Sequence, residues 1–219
     1  MILCFLQGKM YEKCVEFFKI LAKFFKRATL QKRITAKQIS RMRICSYDGE
    51  IKIIKSELDA KLAVQEILKE TVVGFDTESR PAFKKGEYYP PSIVQIACKD
   101  KVYIFQLDNT GVVDPIIPIF ECPEITKVGA AVSNDVKNLQ KLESFEANGF
   151  YDLGVFSKIL HIPYTGLKNL SAIFLRVRIS KSERLTDWKA GSLTEDQVRY
   201  AATDAWVSRA IFIKMLEYL

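Results

Sequence analysis

Between Lys9 and Arg27 the apolar residues Met10, Cys14, Phe17, Phe18, Leu21, Phe24 and Phe25 recur at steps of three and four, with Lys13, Glu16, Lys19, Lys23, Lys26 and Arg27 between them. That spacing predicts an amphipathic helix. Either it packs on the core, on a partner or on a second copy of the chain through residues 9–27, or its basic face meets a nucleic acid or a membrane surface. Residues 28–48 read as a connector with one short helix opened at Thr35, where Gln38 completes a capping box. Beyond it the pattern changes to alternating strands and helices. IKII (51–54) predicts a strand, and residues 56–70 a helix capped by Ser56 and Asp59. Residues 71–78, 92–98 and 102–107 predict three strands, the last two joined by the polar turn KDK as an antiparallel hairpin. A helix over 115–120, a strand at KVGAA (127–131), a helix over 133–142 and a short strand near Tyr151 follow. Helices over 153–160, 167–174 and 194–218 complete the chain, the last with Thr194 as cap and acids in its first turn. The predicted class is α/β: a mixed five- to six-stranded sheet with helices on both faces, plus the N-terminal amphipathic basic helix. Residues 1–48 form an arm and linker, and 49–219 one domain.

At 219 residues, 48% of them hydrophobic, the chain is long enough for one sizeable core with an appendage. The formal charge of +7 is unevenly placed. Residues 1–43 hold eleven Lys and Arg against Glu12 and Glu16, whereas the remainder holds 22 basic against 24 acidic residues. The basic character therefore belongs to the arm. Five cysteines without a CxxC spacing and a single histidine, His161, support neither a disulfide framework nor a zinc site, and His161 is expected to be structural. No secretory signal and no membrane-length apolar run is present, so the expectation is an intracellular, cytoplasmic protein, or a nuclear one in a eukaryote. Met10 is an alternative start to Met1.

The stretch TVVGFDTESR (71–80) ends an apolar strand in Asp76 and Glu78. Spacing alone decides nothing, because chance gives about three acidic pairs two residues apart and the chain has three: Asp48/Glu50, Glu57/Asp59 and Asp76/Glu78. Only the third closes a buried strand, where ionised carboxylates are costly unless paired or metal-bound. Two more acids stand at telling positions. Asp135 opens a helix just past a strand, where it either complements the helix dipole or faces a site at the sheet's end. Asp204 lies in VRYAATDAW, four residues after Tyr200, and no other of the nine tyrosines has an acid at that distance. The pair is either a surface hydrogen bond or part of a site. Four carboxylates from three segments make an all-oxygen set suited to Mg²⁺ or Mn²⁺.

These residues resemble the DEDD 3′-5′ exonucleases, in the tyrosine-bearing branch that includes the Werner syndrome exonuclease domain and ribonuclease D. FDTE is similar to their first motif, GAAVSNDVKNLQKL to the second with Asp135, and LTEDQVRYAATDA to the third, YxxxD. LKNLSAIFL and Trp188 also fit that branch, and Arg199 stands where the histidine-bearing branch has its His. The resemblance covers about residues 50–215. It implies a ribonuclease H-like fold and hydrolysis of nucleic acid from the 3′ end, releasing nucleoside 5′-monophosphates. Ribonuclease D carries helical accessory domains, whereas this chain ends fifteen residues after Asp204, so the expectation is a nuclease module of the Werner type.

The implied mechanism uses two divalent ions, one held by Asp76, Glu78 and Asp204, the other mainly by Asp76 with Asp135 through water, while Tyr200 orients the attacking water. Substrate contacts are expected from Lys84 and Lys85 in the loop SRPAFKKGEYYPP, with Arg80, Tyr88 and Tyr89, and from Lys168 and Arg184. A solvated loop is the competing reading. Lys137 either faces the groove or is solvated, and Trp188 reads as core. A non-catalytic binding or scaffold module on the same fold is the rival function, and DNA and RNA stand equally open.

Overall fold

Side chains alternate along the strand that carries Asp76, and the alternation fixes both layers of the protein. In a computed structural model, which describes residues 30–84, 86–107 and 112–219, the chain forms α1 (Ala36–Ser40), β1 (Ile44–Cys45), β2 (Glu50–Ile54), α2 (Glu57–Ile67) and β3 (Val72–Ser79). Next come β4 (Pro91–Ala97), β5 (Lys101–Gln106), α3 (Val113–Glu121), β6 (Thr126–Gly129) and α4 (Val132–Leu139). The chain closes with β7 (Phe150–Asp152), α5 (Leu153–Ile159), α6 (Leu167–Phe174), β8 (Arg178–Ile179), a 3-10 turn at Ser182–Leu185 and α7 (Glu195–Leu216). The helix read over residues 9–27, with its partner or self-association role, lies outside the described residues.

Six strands form one mixed sheet in the order β2-β5-β4-β3-β6-β7, with β4 antiparallel to both neighbours and the other pairs parallel. The KDK turn makes the expected β4–β5 hairpin, pairing Ala97 with Val102. Val73 and Phe75 of β3 point into a core with Ile67 of α2, Ile119 and Phe120 of α3, and Leu139 of α4. The opposite face is covered by α7, α5 and α6, through Ala201, Ala202, Ala205, Phe212, Phe156 and Ile173. Each fully buried large apolar side chain contributes roughly 1.5–3 kcal/mol.

How closely α7 approaches the sheet decides where its functional side chains sit. Gly74 lets it come close: a Cβ there would lie 1.9 Å from the carbonyl oxygen of Ala205. Capping fixes α7 along its axis, because Thr194 and Gln197 exchange side chain to backbone bonds of 3.0 and 3.2 Å. Gln197 Nε2 also donates to Thr186 Oγ1 and the Asp187 carbonyl, tying the preceding segment to the helix.

The connector is packed, which its sequence pattern did not indicate. Ile34, Ile39 and Tyr47 are buried, β1 pairs in parallel with β8, the Tyr164 hydroxyl donates to the Ile34 carbonyl at 2.8 Å, and the Tyr47 N–H donates to Thr203 Oγ1 at 2.9 Å. The Thr35/Gln38 capping box is present as expected.

Candidate active site

Asp76 and Glu78 leave β3 on the α7 side, the face shared with Gly74, because residues two apart on a strand point the same way. Asp204, on the third turn of α7, meets them: each of the three offers a carboxylate oxygen, and these oxygens lie within 4.8 Å of one another. Asp135 comes from the first turn of α4, after Ala131 turns the chain in a left-handed conformation (φ 61°). It is held from β3, where Thr77 Oγ1 donates to Asp135 Oδ1 at 2.7 Å. The Thr77 N–H donates to Asp76 Oδ1 at 3.0 Å. Tyr200, one turn before Asp204, shares a hydrogen bond with its carboxylate.

Burial and crowding of like charge raise the proton affinity of the whole cluster. Asp76 is raised well above the usual carboxylate range, first by burial, then by Asp204, Glu78 and Asp135. Burial pushes Glu78 up to about 8, with Asp204 and Asp135 adding and Arg184 opposing. Asp204 is raised to about 7 by burial, against the Tyr200 hydrogen bond and Lys181, and Asp135 to about 6 by burial against Thr77. Tyr200 is also raised, by burial and then by Asp204, so it acts as a neutral donor near pH 7.

A divalent cation suits this set. The donors are all hard carboxylate oxygens, and Asp204, 8% exposed, has an Oδ1 with no hydrogen-bond partner.

The other residues singled out in the sequence scatter around this centre. Arg184, on the 3-10 turn, is exposed yet close enough for its charge to act on Glu78. Lys84 is exposed in the β3–β4 loop, Lys85 lies outside the described residues, and Lys168 is exposed on the first turn of α6. In the same loop Arg80 lies over the Tyr89 ring at 5.2 Å, and Lys141 of the α4 flank over Tyr88 at 4.2 Å. Lys137 is exposed. Trp188 is core, its ring centroid 5.9 Å from that of Tyr200, and His161 is exposed just beyond the end of α5. Two neighbours of the site were not read from the sequence. Lys181 stands where no local pattern marks it, and Thr77 sits inside the first motif between the two acids that drew attention.

The sheet order is that of a mixed α/β fold, with three carboxylates meeting where its strand β3 runs under α7. Residues 51–219 match the model of the 3′-5′ exonuclease family, and the chain belongs to that family. Among its relatives, a ribonuclease D of Gluconacetobacter diazotrophicus is 28% identical over 170 residues, covering 76% of this chain and 42% of that protein. The mouse bifunctional 3′-5′ exonuclease/ATP-dependent helicase WRN is 30% identical over 150 residues, covering 66% of this chain and 11% of that protein. The chain thus spans less than half of either relative. In fold it is similar to the Aedes aegypti Nibbler EXO domain (TM-score 0.68, 21% identity, 86% of this chain and 91% of that one). It is also similar to Escherichia coli RNase D (TM-score 0.67, 20% identity, 76% and 45%). The family normally uses divalent metals, which agrees with the acidic centre. Among the described residues no helix is long and apolar enough to cross a membrane.

Proposed function

We propose that this protein is a metal-dependent 3′-5′ exonuclease that hydrolyses nucleic-acid phosphodiester bonds and releases nucleoside 5′-monophosphates. The convergence of Asp76, Glu78 and Asp204 from two distant elements, their oxygens within 4.8 Å, carries this reading. Asp76, Glu78 and Asp204 would hold one Mg²⁺ or Mn²⁺, and Asp76, with Asp135 through water, a second. When bound, such ions acidify water and stabilise charge on a leaving oxygen. Tyr200, fixed by Asp204, orients the attacking water, which adds to phosphorus as the bond to the 3′ oxygen breaks. Lys181 and Arg184, near enough for their charge to act on Asp204 and Glu78, draw the phosphate backbone toward the acids. Lys84, with the Arg80/Tyr89 and Lys141/Tyr88 cation–ring pairs of the β3–β4 loop, offers charge and rings to a single strand, and we assign Lys85 of the same loop sequence to that contact. Lys168, exposed on the first turn of α6, is a further contact we assign.

The partner is thus a nucleic-acid 3′ end. A Trypanosoma brucei RNase D of similar fold has been solved in complex with RNA, and a Brucella melitensis NrnC bound to pGG. We place the catalytic unit at 49–219, in keeping with a family match that starts at residue 51, and the arm and linker at 1–48. The free thiols of Cys45, Cys98 and Cys122 agree with an intracellular setting.

The test is incubation with matched 3′-labelled DNA and RNA oligonucleotides, with Mg²⁺, Mn²⁺ or chelator, for the native protein and Asp76→Ala. Metal-dependent loss of 3′ nucleotides by the native protein alone is the expected result. Oligonucleotide binding without degradation in either protein would identify a binding module instead.

A further inference from the structure

Directly across the antiparallel β3–β4 pair from Asp76 stands Gln95. Opposed residues of such a pair project from the same face with Cβ atoms about 4.5–5.5 Å apart, so the Gln95 side chain runs beside the Asp76 carboxylate under α7. Gln95 is 0% exposed, and neither its Nε2 nor its Oε1 has a hydrogen-bond partner. A buried amide left unpaired at both ends is rare and costly, and an apolar residue would serve mere packing better. The neighbours β4 presents to the same face, Ile93 and Ala97, are apolar core residues. The cluster they form also contains Trp188, whose Nε1–H is likewise buried without an acceptor. Asp76 has spent one oxygen on the Thr77 N–H. One amide thus offers an unused donor and acceptor on the face where a carboxylate has acceptor capacity and the cluster of its strand neighbours holds an indole with a donor to place.

We propose that Gln95 is a positioning residue for the catalytic centre. Unpaired at both ends in this structure, its amide would turn its Nε2–H onto the second side of the Asp76 carboxylate once a cation is held there, with its Oε1 taking the Trp188 indole proton through one buried water. This rests on reading the acidic cluster as a divalent-cation site. Gln95 touches no substrate in this scheme. It fixes the rotamer of the carboxylate that both cations share, as the hydrogen bonds behind metal ligands do elsewhere. The Trp188 ring lies tilted against that of Tyr200, centroids 5.9 Å apart, so the same line of contacts reaches the residue that orients water.

The experiment measures Mn²⁺ binding by titration calorimetry to the full chain, thermal melting without metal, and oligonucleotide hydrolysis across Mn²⁺ concentrations, for Gln95→Leu and the more flexible Gln95→Met. The expected result is roughly a tenfold loss of Mn²⁺ affinity. The metal-free melting temperature should be unchanged or higher, since an unpaired amide has been replaced by an apolar side chain of similar size. Hydrolysis should recover toward the native rate at saturating Mn²⁺. Mn²⁺ affinity within twofold of native, or a rate that stays depressed at saturation, overturns the role of Gln95 while leaving the cation site standing. Failure of the native protein itself to bind Mn²⁺ removes the cation site, and this role with it.

Discussion

Thr77 and Asp135, on a strand and a helix 58 residues apart in sequence, are joined by a hydroxyl to carboxylate bond of 2.7 Å. Since the Thr77 N–H also binds Asp76, one residue sets the spacing of two acids. Thr77→Val keeps the β-branched shape and removes only the hydroxyl. It should lower kcat/KM for a 3′-labelled oligonucleotide by roughly 10- to 100-fold, with the fold intact, as loss of a bond behind a metal ligand does. Native activity in the variant would show that Asp135 needs no such tether.

Proton affinity in the acid cluster sets a pH dependence with a definite sign. Glu78 at about 8, Asp204 at about 7 and Asp135 at about 6 all lie above ordinary carboxylate values, so the native state binds more protons than the unfolded chain between about pH 4 and 8. The stabilisation is complete below the unfolded values and is lost as pH rises through those of the folded state. In chelator, melting temperature should therefore fall from about pH 5 to about pH 8.5. Asp76→Asn should flatten the decline and stabilise the metal-free protein at the upper end by roughly 1–3 kcal/mol, while abolishing hydrolysis. A melting temperature that climbs over this range in chelator would contradict the placement of these acids.

Gly74 is where β3 and α7 nearly touch, and a methyl group there meets the Ala205 carbonyl, which is backbone and has no rotamer to change. Gly74→Ala should cost about 3 kcal/mol or more, read as a shift in the denaturation midpoint. It should also separate Asp204 from Asp76 and depress activity in whatever protein folds. A cost under about 1 kcal/mol would mean that α7 slides freely on the sheet.

Lys181 and Arg184 act on Asp204 and Glu78 through charge alone and stand free to meet phosphates. Their joint replacement by alanine should raise KM for oligonucleotide several-fold. The slope of log affinity against log salt should drop by about one to two, as each lost phosphate contact removes close to one unit. An unchanged slope would move the backbone contact to the β3–β4 loop.

The elements with strong local signals were legible in the sequence. Short apolar runs placed β3 to β5, the KDK turn gave the hairpin of the last two, and Ser56, Thr35 with Gln38, and Thr194 marked helix starts that the side chains do cap. The acids were readable because charge at the end of an apolar strand conflicts with its surroundings. What escaped were features set by contacts distant along the chain. The pair of β1 with β8 is two residues long and joins Ile44 to Arg178, too short for any period to register. Lys127 looks like an ordinary strand residue in KVGAA, yet it is 0% exposed, donates to the carbonyls of Ile119 and Cys122 at 2.9 and 2.7 Å, and is lowered by burial to about 8. Its partners are the last turn of α3, which only the fold brings near. Gln95 gave no signal either, because a single polar residue in a strand is read as facing water.

The packed connector changes what it means to separate the basic arm from the nuclease body. Ile34 and Ile39 sit in the same cluster as Phe212 and Met215 of α7, and Tyr47 binds Thr203, the immediate neighbour of Asp204. A protease cut or truncation near residue 43 would strip two isoleucines from the floor beneath α7 and loosen the helix that presents Tyr200 and Asp204. A truncation that spares this floor has to keep Ile34, Ile39 and Tyr47. Tyr47, through its bond to Thr203, is where the connector grips the helix that carries Asp204.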